Sequence, residues 1–127
     1  MTNISRPMLL TQANLTYSGR REPPAAIVSS GQPDAEVWSE NLREASSDLR
    51  YGYWVGQIGA MAVSAYPSDE YFTVLEGRVA LECRDGHRVE AGPGETVLVR
   101  KGWQGSWHTL EVTRKFFVIL EPAAAAE

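Results

Sequence analysis

With one cysteine and two histidines among 127 residues, the chain has little material for thiol or metal chemistry. Cys83 alone makes neither an internal disulfide nor a thiolate cluster, which excludes a secreted disulfide scaffold and a zinc ribbon. Its only basic neighbour is Arg84, so it reads as a small apolar side chain on a strand rather than a reactive thiol. No block of one charge is present either. Twelve Lys and Arg against sixteen Asp and Glu give −4, spread along the chain, and the basic footprint of a nucleic-acid binder is missing. Long apolar runs are also absent: "FFVIL", Phe116 to Leu120, falls far short of the roughly 20 residues that span a bilayer. The start "MTNISRPMLLTQ" lacks a charged lead followed by an apolar stretch. The expectation is a soluble cytoplasmic protein with no nucleic-acid and no membrane partner. Two histidines give no specific Ser-His-Asp or Cys-His arrangement, although Ser106 and His108 are close in sequence. "AGPGE" has neither the Walker spacing nor its Lys.

What is present is a β pattern. The length fits one domain able to bury about 70% of its surface. Residues 1–50 read as an irregular arm packing on the rest: "REPPAAIVSSGQPDAE" is rich in proline, with one short strand over Ala25 to Ser29. "EVWSENLREASSDLR" has room for a turn or two of helix, on sparse apolar positions. Residues 51–122 form a regular core, in which runs such as "EYFTVLEG", "ETVLVRKG" and "TRKFFVILE" alternate with turn signals. "RDGHR" places Asp85-Gly86 between Val79–Cys83 and His87–Val89, predicting a hairpin with a tight primed turn. "AGPGE" marks a reversal at Gly92 to Gly94, and residues 123–127 form a fraying tail. Short antiparallel strands between glycine turns fit a sandwich or a closed barrel.

The stretch "DEYFTVLEGRVALECRDGHRVEAGPGETVLVRKGWQGSW", with "TRKFFVILE" after it, resembles the cupin superfamily (RmlC-like jelly rolls). More closely it resembles the third cupin subfamily, related to ethanolamine-utilisation cupins and ureidoglycine aminohydrolases. The resemblance covers about the last 75 residues and implies an all-β, single jelly-roll β-barrel. The first cupin motif ends in Glu, six residues and Gly, matched by Glu70 and Gly77. Its upstream imidazole pair is replaced by Ser64 and Tyr66, or by Val63 and Ala65. In the second motif Gly94 and Gly102 fit, Arg100 stands at the Pro position and Gly105 at the His position. Three of the four usual ligands are thus missing, and a lone Glu coordinates weakly. The implied protein binds no metal and needs no cofactor. His87 reads as a solvated turn residue. If Gly105 faces inward, as its motif position implies, strand alternation turns Trp107 inward and His108 outward.

The same alternation puts Glu70, Phe72 and Val74 on one face of their strand. The last strand carries Thr113, Lys115, Phe117 and Ile119 on one face, and Arg114, Phe116, Val118 and Leu120 on the other. Both faces are apolar, consistent with a pocket on one side and a second protomer or the arm on the other. The subfamily has an Arg-Lys pair before this strand, which favours Lys115 pointing into the barrel. A buried Glu70 needs a partner. Lys115 or Arg100 could supply a cation, and Tyr66 or a tryptophan N–H a hydrogen bond. Two readings stay open. One is a buried salt bridge that only ties strands together. The other is a pocket walled by Trp54, Trp103 and Trp107, with Glu70 and Lys115 as candidate catalytic residues and Tyr66, Phe72 and Arg100 as further ligand contacts. Three functions follow: a metal-independent binder of a polar organic acid, amide or sugar derivative; an amidohydrolase, lyase or isomerase using Glu70 as general acid or base; or a non-catalytic interaction protein with a filled barrel. A homodimer is expected.

Overall fold

The computed structural model describes residues 6–43 and 47–122. Its fold is all-β. Nine antiparallel strands lie among the described residues: β1 (Thr16–Arg21), β2 (Val28–Gly31), β3 (Ala35–Arg43), β4 (Ser47–Gly56), β5 (Gly59–Val63), β6 (Asp69–Cys83), β7 (Arg88–Ala91), β8 (Thr96–Val99) and β9 (Gly105–Pro122).

The two longest strands organise the molecule. β6 and β9 pair along almost their whole length, from Asp69↔Leu120 to Cys83↔Gly105. The first half of β6 and the second half of β9 are flanked by β8 and by β4, β3 and β1. The other halves are flanked by β7 and by β5 and β2. Two layers therefore share one strand pair, which must bend between them. The bend falls where the register shifts between Val74 and Val79. Gly77 sits there at φ +92°, and a Cβ on it would lie 2.3 Å from the Val112 carbonyl oxygen. Only glycine accepts that conformation and that approach.

The core lies between the layers. Phe72, Val74 and Val79 are fully buried and pack with Val37, Leu81, Val97, Val99, Trp107 and Phe117. The alternation of the sequence holds: Glu70, Phe72 and Val74 are buried, while Tyr71 is about half exposed at 51%.

Three local expectations change. "EVWSENLR" is strand, not helix: Val37 and Ser39 are buried while Glu36 and Leu42 are exposed, and β3 pairs residue for residue with β4. Tertiary pairing outweighs the weak helical signal. Residues 44–46 of the same stretch, and the tail at 123–127, lie outside the described residues. The short strand expected at Ala25 to Ser29 falls at β2, after a 3₁₀ turn over Ala25–Ile27, and β1 and β3 also form within the segment read as irregular. Finally, the Asp85-Gly86 hairpin forms, but only Gly86 has positive φ. The Gly86 amide donates to the Cys83 carbonyl and the Cys83 amide to that of His87. This is a three-residue loop closed by a left-handed glycine rather than a primed two-residue turn. The Gly92–Gly94 reversal is present, with the Glu95 amide donating to the Gly92 carbonyl. No helix among the described residues is long and apolar enough to cross a membrane.

Candidate functional site

Register decides which side chains share the inner face of the first layer. Directly paired residues face the same way, so Arg50, Ile119, Glu70 and Val99 form one row. Gly52, Phe117, Phe72 and Val97 form the next row, and Val37, Trp54, Lys115 and Val74 the one after. Glu70 and Lys115 are thus two rows apart with Phe72 between them. Their long side chains close that gap over the ring. Lys115 Nζ sits 4.1 Å from the Phe72 centroid and donates to Glu70 Oε2 at 2.9 Å.

Both groups are almost out of water, at 4% and 7% side-chain exposure. A buried ion pair needs further stabilisation to offset the loss of hydration. Tyr66 donates its hydroxyl to Glu70 Oε1 at 2.9 Å. The ammonium of Lys115 also lies 4.6 Å from the Trp107 ring and 4.8 Å from that of Trp54. Three aromatic faces around one cation supply the negative potential that its remaining N–H groups would find in water. Burial pushes the Lys115 ammonium below the ordinary lysine range, opposed by the attraction and hydrogen bond of Glu70. Burial, and then the charge and hydrogen bond of Glu70, hold the Tyr66 phenol well above its ordinary value, so it stays a donor.

The pair opens onto a cavity of about 290 Å³. Trp54, Tyr66 and Phe117 wall it, Glu70 and Lys115 form its polar end, and Arg21 and Arg50 also line it. Trp54 turns across Gly56, where a Cβ would lie 1.9 Å from the indole.

Of the residues singled out in the sequence, Glu70, Lys115, Tyr66 and Trp54 come together at this cavity. Phe72 and Trp107 lie beneath the ammonium, and the Trp107 indole N–H donates to Thr109 Oγ1 at 3.2 Å. Trp103 packs edge-on against Tyr66, with ring centroids 6.1 Å apart, and its N–H reaches Cys83 Sγ, so it backs the site from outside the cavity. Arg100 is not brought to Glu70. It is 74% exposed and bound to Asp69 Oδ1 at 2.9 Å, because it follows the inward Val99 and alternation turns it out. His108 is half-buried, paired with Ala60 and Ala80 on the face opposite Trp107. Arg21 and Arg50 were not among the expected site residues. Reading Arg50, Gly52 and Trp54 as one i, i+2, i+4 face would have found the second of them.

The donor set does not fit a metal ion. Glu70 has its two oxygens engaged by a phenol and an ammonium, and a cation bound there would face Lys115 at close range. Gly105, which stands at the His position of the second motif by resemblance, has no room for a side chain: a Cβ there would lie 2.2 Å from the Glu82 carbonyl oxygen.

A bent antiparallel double layer, with a carboxylate held inside at the first-motif position, defines a cupin. The chain belongs to the EutQ-like cupin domain family, whose model matches residues 43–117, more than half of its length. Among solved structures it is similar to a protein of unknown function from Pseudomonas syringae pv. tomato. Identity there is 29% and the TM-score 0.66, over 83% of this chain and 43% of that one. The chain therefore spans less than half the length of that relative. The EutQ protein of Clostridium difficile (21% identity, TM-score 0.55, covering 72% of this chain and 71% of that one) shares the fold. So does the polyketide cyclase RemF of Streptomyces resistomycificus (17%, 0.58, 96% and 83%). No curated protein matches the chain.

Proposed function

We propose that the protein is a metal-independent cupin of the cytoplasm that binds a small polar organic ligand in the cavity beside Glu70, and that it works as a homodimer. The observation that carries this reading is the 290 Å³ cavity whose polar end is lined by the nearly buried Glu70–Lys115 pair. Concave, mostly apolar spaces with a few fixed polar groups are what small-molecule sites are made of. The cavity also argues against the filled-barrel alternative.

A second reading has its own support. An amine whose proton affinity is lowered by burial, touching a carboxylate and facing a cavity, suits general acid–base work of the amidohydrolase, lyase or isomerase type. RemF is a cyclase by its name, but its 17% identity carries only the fold.

The test is a thermal-shift screen of small acids, amides and sugars against chelator-treated protein, repeated on Trp54→Ala. Binding to the folded state alone raises the melting temperature by mass action. At least one class should stabilise the wild type and lose that effect in the variant. A screen with no hit, or hits that appear only after adding a divalent metal, would overturn the reading. For a ligand that is turned over, Glu70→Gln should abolish turnover and largely spare binding; equal loss of both would remove Glu70 from the role of base.

A further inference from the structure

We infer that the ligand of this cavity is an organic anion, a small carboxylic acid whose carboxylate lies at the mouth against Arg21 and Arg50 and whose apolar body lies over Trp54. The inference rests on the binding reading above and names its ligand class.

Charge balance is the first argument. Four formally charged side chains line the cavity: Arg21, Arg50, Lys115 and Glu70. Glu70 and Lys115 neutralise each other at 2.9 Å, which leaves two guanidinium groups. Neither is in a salt bridge among the described residues. The nearest carboxylate along the strand from Arg50, Asp48, is occupied by Arg43 at 3.1 Å and by the Asn41 amide at 3.2 Å. Arg20, beside Arg21 in sequence, is neutralised by Asp34 at 2.6 Å, whereas Arg21 donates from Nη1 to two backbone carbonyls, Ser18 at 3.3 Å and Arg20 at 3.5 Å, and to no carboxylate among the described residues. Two arginines with no salt bridge among the described residues thus come from different strands, β1 and β4, to one cavity.

Geometry is the second argument. Arg50 shares a row with Glu70, with Ile119 between them. Two strand spacings separate their backbones, roughly 10 Å. That span suits a ring or short chain with a carboxylate at one end and a hydrogen-bond donor at the other. Arginine's planar fork binds a carboxylate through two parallel bonds. The space between is apolar, walled by Trp54, Val37, Phe117 and Ile119. A donor at the far end would meet Glu70, whose oxygens already accept from Tyr66 and Lys115.

The experiment compares acids with their neutral isosteres. Phenylacetate, 3-hydroxybenzoate, phenylacetamide and 3-hydroxybenzamide are titrated by calorimetry, with intrinsic tryptophan fluorescence as a second readout, into wild type and Arg21→Gln/Arg50→Gln. Both arginines are exposed, so the double variant should fold normally, as far-ultraviolet circular dichroism would check. The acids should bind at least tenfold more tightly than the matched amides. The variant should lose that preference while keeping the amide affinity, and added salt should narrow the gap in wild type. Equal affinity for acid and amide in wild type would overturn the anion assignment and leave the binding reading standing. Binding of none of the four, with tryptophan emission unmoved, would count against both.

Discussion

At the residue scale, the Glu70–Lys115 pair costs desolvation free energy that two hydrogen bonds and three aromatic faces offset. Removing one partner strands the other, which costs about 3–5 kcal/mol for a buried pair. Glu70→Leu and Lys115→Met should each destabilise by about that much in urea unfolding. The double replacement should fall within about 1 kcal/mol of wild type, since an apolar pair of similar volume needs no neutralisation. Additive losses would mean that the two side chains do not act as a unit. The amine also leaves a pH signature. Its folded proton affinity is depressed, so between that value and the unfolded lysine value of about 10.4 the unfolded chain holds more protons, and stability rises with pH. Tyr66, held high by burial beside Glu70, works the other way above about pH 10, where only the unfolded tyrosine ionises. The stability of wild type relative to Lys115→Met should therefore climb as pH approaches 10; a flat difference would contradict a desolvated amine. Glu70 was legible because its spacing to Gly77 matches a motif; alternation in β9 left both faces apolar, and only the resemblance of the Arg114-Lys115 pair to the subfamily pointed Lys115 inward. Arg21 was not legible, because it reaches the cavity through the long-range pairing of β1 with β3, which no local pattern encodes.

At the element scale, strands were legible where their residues alternate between water and core, and poorly so where they pair at an edge. β3 carries Val37 and Ser39 inward, yet Glu, Asn, Leu and Arg are good or neutral helix formers, so propensity and pairing disagree and pairing wins. The bend in β6 is marked by a glycine whose role depends on a long-range approach, that of the Val112 carbonyl on β9. Gly77 and Gly86 have nearly the same φ, +92° and +93°, but only Gly77 faces crowded backbone, and nothing lies within 4 Å of a Cβ on Gly86. Gly86→Ala should cost about 1–2 kcal/mol, the strain of a side chain in the left-handed region. Gly77→Ala adds a clash with the Val112 carbonyl and should cost at least about 2 kcal/mol more, since backbone cannot yield as a side chain can. Urea midpoints at constant slope would measure both. Equal losses would show that the bend tolerates a Cβ.

At the scale of the whole molecule, the outer face of the first layer raises the question of a partner. Register aligns Leu98, Tyr71, Val118 and Tyr51 in one outward row, with Leu120 and Leu49 adjoining it. Further along, that face is covered by the chain's own N-terminal segment: Tyr53 donates to the Leu10 carbonyl at 2.8 Å and Arg114 to Gln12 Oε1 at 2.9 Å. The uncovered part keeps Leu98 at 64%, Leu120 at 52% and Tyr71 at 51% exposure. Apolar rows of this kind, adjoining a covered core, mark an interface more often than bare surface. A second copy is the occupant we propose, because a twofold axis through the row brings each apolar residue against the same patch and needs no other chain. Sedimentation velocity at micromolar concentration should give a dimer. Tyr71→Lys/Leu98→Lys should shift it to monomer without altering the circular dichroism spectrum, since both side chains point away from the core and from the cavity. The site predicts a further separation. Glu70, Lys115 and Arg50 face inward from the same strands, so the monomeric variant should retain ligand affinity within a few-fold of wild type. A wild type that sediments as a monomer would overturn the dimer, whereas a monomeric variant that loses binding would mean the second copy completes the site.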